Sequence, residues 1–550
     1  MSGHQTGIAF SFRRNDHIGE AEAEFDEEFL SNCFVSNGAL EVLRDCSAAQ
    51  RIIVGRTGSG KSALIKMLNE RETHVIKIPP EQLSLAYLSN SYVIRFFEDA
   101  GANLDVFYQL LWRHVLVVEL LKYKYNIQNE NSQKTFLDKI SLLISKDKAK
   151  QKAIEYLRKW GENFWNETEY RIKDVTTKLE NELKASITSD SISTKLNAGA
   201  SSKLSAEEKI EVIQRGAHVV SKVQIKELSD VLKLLSEEIF NDDQINHYIT
   251  IDDLDTKWTE DNLKYKLIRA LIETIKNFRQ VKYVKIIISL RADLLQKVIE
   301  ATRDAGFQSE KYESLQLKLT WSANDIYTIV NKRISYLVKQ RYTSRPVGLE
   351  DLFPTKITNL SFKDYLTQLT FLRPRDAILF VNECLSKSAS RGQISVQIVL
   401  ESEGGYAQKR LNSLAEEWST IYPSIVNYLK IFSGKSPSFK ISDMTTSEIE
   451  NWAYNVILQN TDDKDPVFTA ATKHFLLDEI RYEEFLKILI KAMYTTGAIG
   501  VKINSTLPEQ WSYFSDQTLV ESALSQESTV SLHTLFWRPL GVNLNNKRSY

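Results

Sequence analysis

Glycine and proline are scarce in this sequence, 20 and 10 among 550 residues, well below the usual ~7% and ~5%. So few turn formers over such a length argue for long helices and few hairpins, and against a β-sandwich or a propeller. Cysteine is scarcer still. Cys33, Cys46 and Cys384 have no metal-type spacing and leave one unpaired in any disulfide scheme, which fits a reducing cytoplasm. No apolar run approaches the ~18 residues of a membrane span. The opening MSGHQTGIAFSFRRND also lacks the apolar core of a signal peptide. Neither charge is in excess, because 70 Lys plus Arg face 71 Asp plus Glu for a net charge of -1. That excludes a histone-like polycation and confines any nucleic-acid binding to a local patch. What is present, 43% hydrophobic and 26% charged residues, can bury a sizeable core. The expectation is a soluble, cytoplasmic chain of roughly three or four domains, with no membrane partner.

Periodicity gives the organisation. Residues 20–30, EAEAEFDEEFL, read as the start of a helix; 51–54 form a short β-type run, SALIKMLNE a helix, and HVIKIP (74–79) a second apolar run. Val106, Leu110, Leu111, Val115, Val118 and Leu121 recur at helical spacing. Between 127 and 186 both charge signs mix along helical spacing, with Ile154, Leu157, Trp160, Phe164 and Trp165 as one apolar stripe, so a long helical insertion is expected. The Ser/Thr/Gly/Asn-rich stretch 188–208 reads as a loop or linker, and a helix follows over about 216–240. HYITI (247–251) and VKIIISL (284–290) are apolar β-rich runs separated by a helix-length segment, and 312–321 alternates like a further strand. Strands alternating with helices imply a parallel sheet covered on both faces.

The strongest signal is GRTGSGKS, Gly55 through Ser62, which fits G-x-x-x-x-G-K-[ST] between a predicted strand and a predicted helix. Gly55, Thr57, Gly58, Ser59 and Gly60 would let the backbone wrap around phosphates, with Ala63 in the helix start whose dipole favours anions. Lys61 would reach the β and γ phosphates, and the Ser62 hydroxyl would ligate Mg²⁺. An apolar strand ending in carboxylates follows downstream, HYITIDDLD. Asp252 would hold Mg²⁺ through its water shell, and Asp253 would orient and deprotonate the attacking water, a role that Asp255 could share or take.

The next strand ends SLRADLL. A polar residue at that tip lies between the two sites in a sheet of the additional-strand type. Arg291 is therefore a candidate γ-phosphate reader or a clamp on an acidic partner, while Asp293 reads as the cap of the following helix. In FLRPRD, Arg373 and Arg375 open a helix beside Pro374 and Asp376. Two cations at a helix start are unfavourable unless an anion is near. Arg375, or in its place Arg373, is the candidate nucleotide sensor of a helical lid.

With these motifs, in the order GRTGSGKS, ITIDDLD, SLRADLL, TWSANDIYTIVNKRI and FLRPRD, the sequence resembles the KAP and STAND-related branch of AAA-like ATPases. More closely it resembles a bacterial P-loop ATPase family with a C-terminal winged-helix module. The resemblance spans most of the chain except 127–215. It implies ATP rather than GTP, Mg²⁺, and a lid that moves on hydrolysis. It also places Phe34 and Val35, within CFVSNGALEVL, beside the adenine. Many relatives of this kind act in bacterial defence against phage, which implies a homo-oligomer working with a separate effector protein. Asp253 stands where classical AAA+ motors carry Glu, which argues against vigorous motor turnover. Other P-loop classes fit worse: Asn331-Lys332-Arg333-Ile334 lacks the Asp of a GTPase base reader, and no LSGGQ-like signature occurs.

The expected fold class is α/β, a P-loop NTPase parallel sheet of the additional-strand type with a helical insertion, a helical lid and a C-terminal winged-helix-like domain. The boundaries are 1–126 for the first part of the core, 127–215 for the insertion, 216–322 for the second part of the core, 323–395 for the lid and 396–550 for the rest. Toward the end, a helix over 485–494, a glycine turn and a two-stranded tail suggest a winged helix. From 472 to 550 eight basic residues face eight acidic ones, so charge gives DNA binding no support. Protein docking or oligomerisation is the preferred role there, with DNA contact second. For the whole chain the reading is a switch or assembly ATPase. A nucleic-acid-stimulated motor is the alternative, and a module with a merely structural nucleotide is the third reading.

Overall fold

The computed structural model describes residues 10–79, 91–143, 151, 168–223, 226–256, 258, 260–302, 310–419, 421–459, 465–477, 479–513 and 519–544. They divide into two compact units: Ser36–Arg56 with Lys61–Leu319, and Met1–Val35 with Thr57–Gly60 and Thr320–Tyr550.

The first unit is built on a sheet. Its strands are β1 (Ile52–Gly55), β2 (Val75–Lys77), β3 (His247–Ile251), β4 (Val284–Arg291) and β5 (Gln316–Lys318). They lie in the order β2-β3-β4-β1-β5, every neighbouring pair parallel. β1, β3 and β4 are buried along nearly their whole length, as expected of β-branched runs in a sheet covered on both faces. β4 lies between β1 and β3, which is the additional-strand arrangement. The helices Asp105–Tyr125 and Asp261–Phe278 pack together, and the Trp112 indole donates to the Leu267 carbonyl at 2.8 Å.

The segment 127–215 shares this core. Ile127, Phe136, Ile140, Val175, Leu179 and Leu183 are buried in the same apolar cluster as the strands. Ile154, Leu157, Trp160, Phe164 and Trp165 lie outside the described residues. The stretch expected to be a loop is structured instead: a helix over Asp190–Asn197, a 3-10 turn over Ser201–Lys203, and the start of the helix Ala206–Val223. Its polar composition hides an i,i+4 pair, Ile192 and Leu196, that is buried and holds the helix against the core. The expected strand over 312–321 contracts to β5, preceded by a helical turn Glu310–Glu313.

The second unit has its own core, and the chain before residue 36 belongs to it rather than to the sheet unit. Phe12, Ile18, Phe29 and Cys33 are buried there with Ile326 and Val330. The expected grouping of 1–126 as core is corrected accordingly. The helix expected from residue 20 begins only at Glu27. Asp26 is its N-cap residue but its side chain makes no capping bond; the carboxylate is taken by Arg333 at 2.6 Å, with both side chains buried. The helix Ala323–Arg341 starts at a Ser322/Asp325 capping box, and Phe362–Leu369, Pro374–Lys387 and Val396–Trp418 follow. A two-stranded hairpin, β6 (Lys356–Ile357) and β7 (Leu360–Ser361), precedes them in part.

The last part runs β8 (Ser438–Lys440), helices Thr446–Gln459, Pro466–Phe475 and Tyr482–Thr495, then β9 (Ile499–Lys502), β10 (Gln510–Trp511) and β11 (Thr529–Leu532). Its sheet is antiparallel in the order β10-β9-β11-β8, four strands where a two-stranded tail was expected. β8 lies about 90 residues before its partner β11, so nothing local announces it. No described helix is long and apolar enough to cross a membrane.

Candidate functional site

β1 delivers the chain to the glycine-rich loop, and the helix Lys61–Arg71 leaves it. Gly58 and Gly60 adopt φ of +76° and +95°, the left-handed backbone that side-chain-bearing residues rarely take. Ser62 and Ala63 are the second and third residues of the helix. Two hydroxyl oxygens in the loop, Thr57 Oγ1 and Ser59 Oγ, are buried without a hydrogen-bond partner among the described residues. Buried polar atoms are rarely left this way unless something else serves them. A glycine loop at a helix start with two such hydroxyls fits a phosphate chain.

Lys61 Nζ donates to the Arg56 carbonyl at 3.2 Å. Burial pushes the Lys61 ammonium below its ordinary pKa, and the carboxylates of Asp255 and Asp252 oppose that push. The lysine is thus held in a desolvated place beside acids, where an added polyanion interacts with it strongly.

The acids come from the neighbouring strands. Register pairs Ile251 of β3 with Ile288 of β4, so Asp252 falls beside Ser289, whose hydroxyl donates to Asp252 Oδ1. The Asp253 N–H donates to the same oxygen at 3.0 Å. Asp253 is exposed and sits at φ +57°, which is unusual for a non-glycine residue and is associated with functional turns. β1 and β4 pair Gly55 with Arg291, which sets the arginine level with the start of the loop. Arg291 forks onto Asp293 through Nε at 3.0 Å and Nη2 at 2.9 Å, and lies 3.6 Å from Asp255. Arg291, not Asp293, is the N-cap residue of the helix Ala292–Ala301; Asp293 instead receives the guanidinium. No cluster of three or more His, Cys, Asp or Glu suited to a metal occurs among the described residues. A Mg²⁺ ion would therefore need phosphate oxygens and water besides Ser62 and Asp252, and this hard-oxygen set is what Mg²⁺ favours.

In the second unit the loop residues Thr57–Gly60 meet Trp321 and the start of the helix Pro374–Lys387. The Trp321 indole donates to the Ser59 carbonyl at 2.7 Å. The Arg375 N–H donates to the Gly58 carbonyl at 3.4 Å, and a Cβ on Gly58 would lie 3.0 Å from Arg375 Cβ. Gly58 occupies a position the motif leaves open, and the stem of Arg375 accounts for its lack of a side chain. Arg373 goes elsewhere: it is 7% exposed, 3.2 Å from Glu417, with its guanidinium 5.3 Å from the Phe371 ring. Phe34 and Val35 are half-buried just after the helix Glu27–Cys33, and the Phe34 carbonyl accepts from Lys332 at 3.4 Å.

Ser289 and Trp321 were not singled out by the sequence reading. Ser289 had a visible signal, a lone hydroxyl near the end of a β-rich run, but its place beside Asp252 comes from the strand register. Trp321 had none.

A parallel sheet in additional-strand order, with a glycine loop after β1 and an acid after β3, defines a P-loop NTPase. Residues 35–316 match the KAP family P-loop domain, more than half of the chain, and the protein belongs to that family, as its motifs implied. Residues 324–415 match the FunZ-associated C-terminal helical domain. The chain is 23% identical to the putative transposon gamma-delta 80.3 kDa protein of Escherichia coli (strain K12), an alignment covering 97% of this chain and 68% of that protein. Among solved structures, the Walker-type ATPase PABY2304 of Pyrococcus abyssi is similar at 14% identity and a TM-score of 0.30, covering 87% of this chain and 93% of that one.

Proposed function

We propose that this P-loop NTPase binds and hydrolyses ATP with Mg²⁺ and uses the cycle as a switch or assembly ATPase. The observation that carries the proposal is a half-buried, acid-flanked Lys61 at the helix start that follows β1, together with Asp252 at the end of β3, itself oriented by Ser289. Gly55, Thr57, Gly58, Ser59, Gly60, Lys61, Ser62 and Ala63 hold the phosphates in this reading, and Phe34 and Val35 border the base. Ser62 and Asp252 would hold the ion, which would supply charge neutralisation at the transferring phosphoryl group. Asp253 takes the proton of the attacking water. Arg375 reads the γ-phosphate, with Arg291 as a further candidate once it parts from Asp255. Arg373 is assigned to the lid, because Glu417 already engages it.

The five-part division stated above belongs to the same proposal, amended at its N-terminal end. So does a winged-helix-like role for the last part, whose order of strand, helices and three strands supports it. Its aromatics support docking of protein rather than stacking of bases: His533 packs on Phe371, Trp511 and Tyr513, and Trp537 donates to the Leu532 carbonyl at 2.9 Å. A homo-oligomer in the cytoplasm, acting with a separate effector in defence against phage, is the setting we propose. Measured release of phosphate from ATP, dependent on Mg²⁺ and lost in Lys61→Ala, tests the activity. Turnover raised many-fold by DNA would replace the switch with a motor.

A further inference from the structure

Arg375 is held from a second side. Its Nε donates to the Ala21 carbonyl at 3.0 Å, and neither terminal nitrogen has a partner among the described residues. A bond at Nε fixes the plane of a guanidinium and leaves its outer edge, the part that forks onto phosphate oxygens, available. The chain that supplies Ala21 is not loosely laid. Gly19 has φ +116°, and a Cβ there would collide with the Arg333 guanidinium and the Asp26 carboxylate. Arg333 donates to the Ile18 carbonyl at 2.9 Å as well as to Asp26 at 2.6 Å, and both ion-pair side chains are about 5% exposed. The same segment is also tied to the helix that carries Arg375. Ile18 N–H donates to Asn382 Oδ1 at 2.8 Å, and Asn382 Nδ2 donates to the Gly19 carbonyl at 2.9 Å.

We infer that residues 18–26, which precede both family-matched stretches, form a strap that positions Arg375 against the P-loop tip. The inference rests on the reading of Arg375 as the γ-phosphate sensor. The strap acts through that arginine and touches no phosphate itself; Ala21 and Asn382 are positioning residues. Two hooks, one at Arg375 and one about two turns along the same helix, set both the azimuth of the helix and the plane of the guanidinium. An energetic consequence follows from differential affinity. Orienting Arg375 helps only a ligand that carries a γ-phosphate, so losing the strap weakens ATP and spares ADP.

The test uses the full chain, titrated with a non-hydrolysable ATP analogue and with ADP. Asn382→Ala removes one hook without touching Arg375 or the loop. It is expected to weaken the analogue by about threefold to tenfold, the worth of one or two neutral hydrogen bonds, with ADP affinity within about twofold of the parent. Should that variant lose its fold, Asn382→Asp keeps the acceptor toward Ile18, removes the donor to Gly19, and carries the same expectation. The Arg375→Ala background separates the strap from the sensor. In that background Asn382→Ala should change neither ligand further. If Asn382→Ala weakens both nucleotides equally, or weakens the analogue just as much without Arg375, the strap is a fold element and the inference falls. If Arg375→Ala itself leaves the ratio of affinities unchanged, the sensor reading falls and takes the strap with it. Amide exchange in the parent protein gives an independent check: residues 18–22 should be slowed by the analogue more than by ADP, and equal protection overturns the inference.

Discussion

Phe371 stacks on His533, with ring centroids 4.2 Å apart and 23° between planes, only four residues before Arg375 meets Gly58. Phe371 and Leu372 both take left-handed backbone, at φ +44° and +53°. Each such residue costs of order 1–3 kcal/mol and persists only where its surroundings over-determine it. Tyr513 and Phe536 close around the same ring, and Thr534 Oγ1 donates to the Gln368 carbonyl at 2.8 Å. The turn before the helix Pro374–Lys387 is therefore held in place by the C-terminal aromatics.

Phe371→Ala should lower the stability of the second unit by about 3–5 kcal/mol, the usual cost of emptying an aromatic slot. Because the turn also sets where Arg375 begins, the variant should lose part of its preference for the ATP analogue over ADP. Denaturant unfolding and nucleotide titration check the two effects. Lower stability with an unchanged preference would confine Phe371 to the fold.

Lys61→Ala should abolish ATP hydrolysis and weaken nucleotide affinity. The ammonium lies desolvated beside Asp252 and Asp255, and electrostatic stabilisation dominates phosphoryl transfer. Removing it leaves those carboxylates facing the phosphates uncompensated. Phosphate release at the parental rate would sink the P-loop reading.

Asp253→Asn should slow hydrolysis by about 10²–10⁴-fold, the usual contribution of a general base, and leave ATP binding nearly intact. Asparagine tolerates left-handed backbone, so the φ of +57° need not change. Asp253→Gly should be at least as slow yet somewhat more stable, since glycine takes that backbone without strain. Unchanged turnover in both would move the role to Asp255. Lost ATP binding would show that Asp253, rather than Asp252, supports the ion.

The parts of this protein legible in its sequence share a cause. VKIIISL and HYITI are strands buried on both faces, so their apolar runs are unbroken, and GRTGSGKS is constrained at several positions by the phosphates it would wrap. The parts that escaped depend on distant partners. β8 is three residues long and is completed by β11, about 90 residues later. The helix Asp190–Asn197 carries Ser, Thr and Asn on its exposed side, and it is held by the burial of Ile192 and Leu196 and by contacts of Ser191 and Lys195 to the distant Glu208. Asp26 looked like an ordinary acidic helix start because its ion pair with Arg333 spans 307 residues. The strap at Gly19 left no local sign beyond a single glycine.

The strand that presents Asp252 begins with a histidine whose titration should be visible in the stability of the protein. His247 is 3% exposed, stacks on His74 at 5.0 Å and meets the Phe240 ring edge-on at 4.8 Å, and its Nδ1 has no hydrogen-bond partner among the described residues. Burial, reinforced by the charges of Lys124 and His74, lowers its pKa from 6.5 to about 4. Between those values the unfolded chain binds a proton that the folded chain refuses, so stability falls as pH falls. The loss is nil above about pH 6.5, grows as pH falls through the window, and reaches at most about 3 kcal/mol at its lower end. Carboxylates add their own acid-induced losses, so the histidine is isolated by difference. His247→Phe keeps an aromatic ring against Phe240 and His74 and removes the titrating group. Urea unfolding of parent and variant at pH 7.5 and at pH 5 should show a smaller loss in the variant, by about 1–2 kcal/mol. Equal losses would mean that His247 is protonated in the folded protein, and that the apolar environment inferred for the start of this strand is wrong.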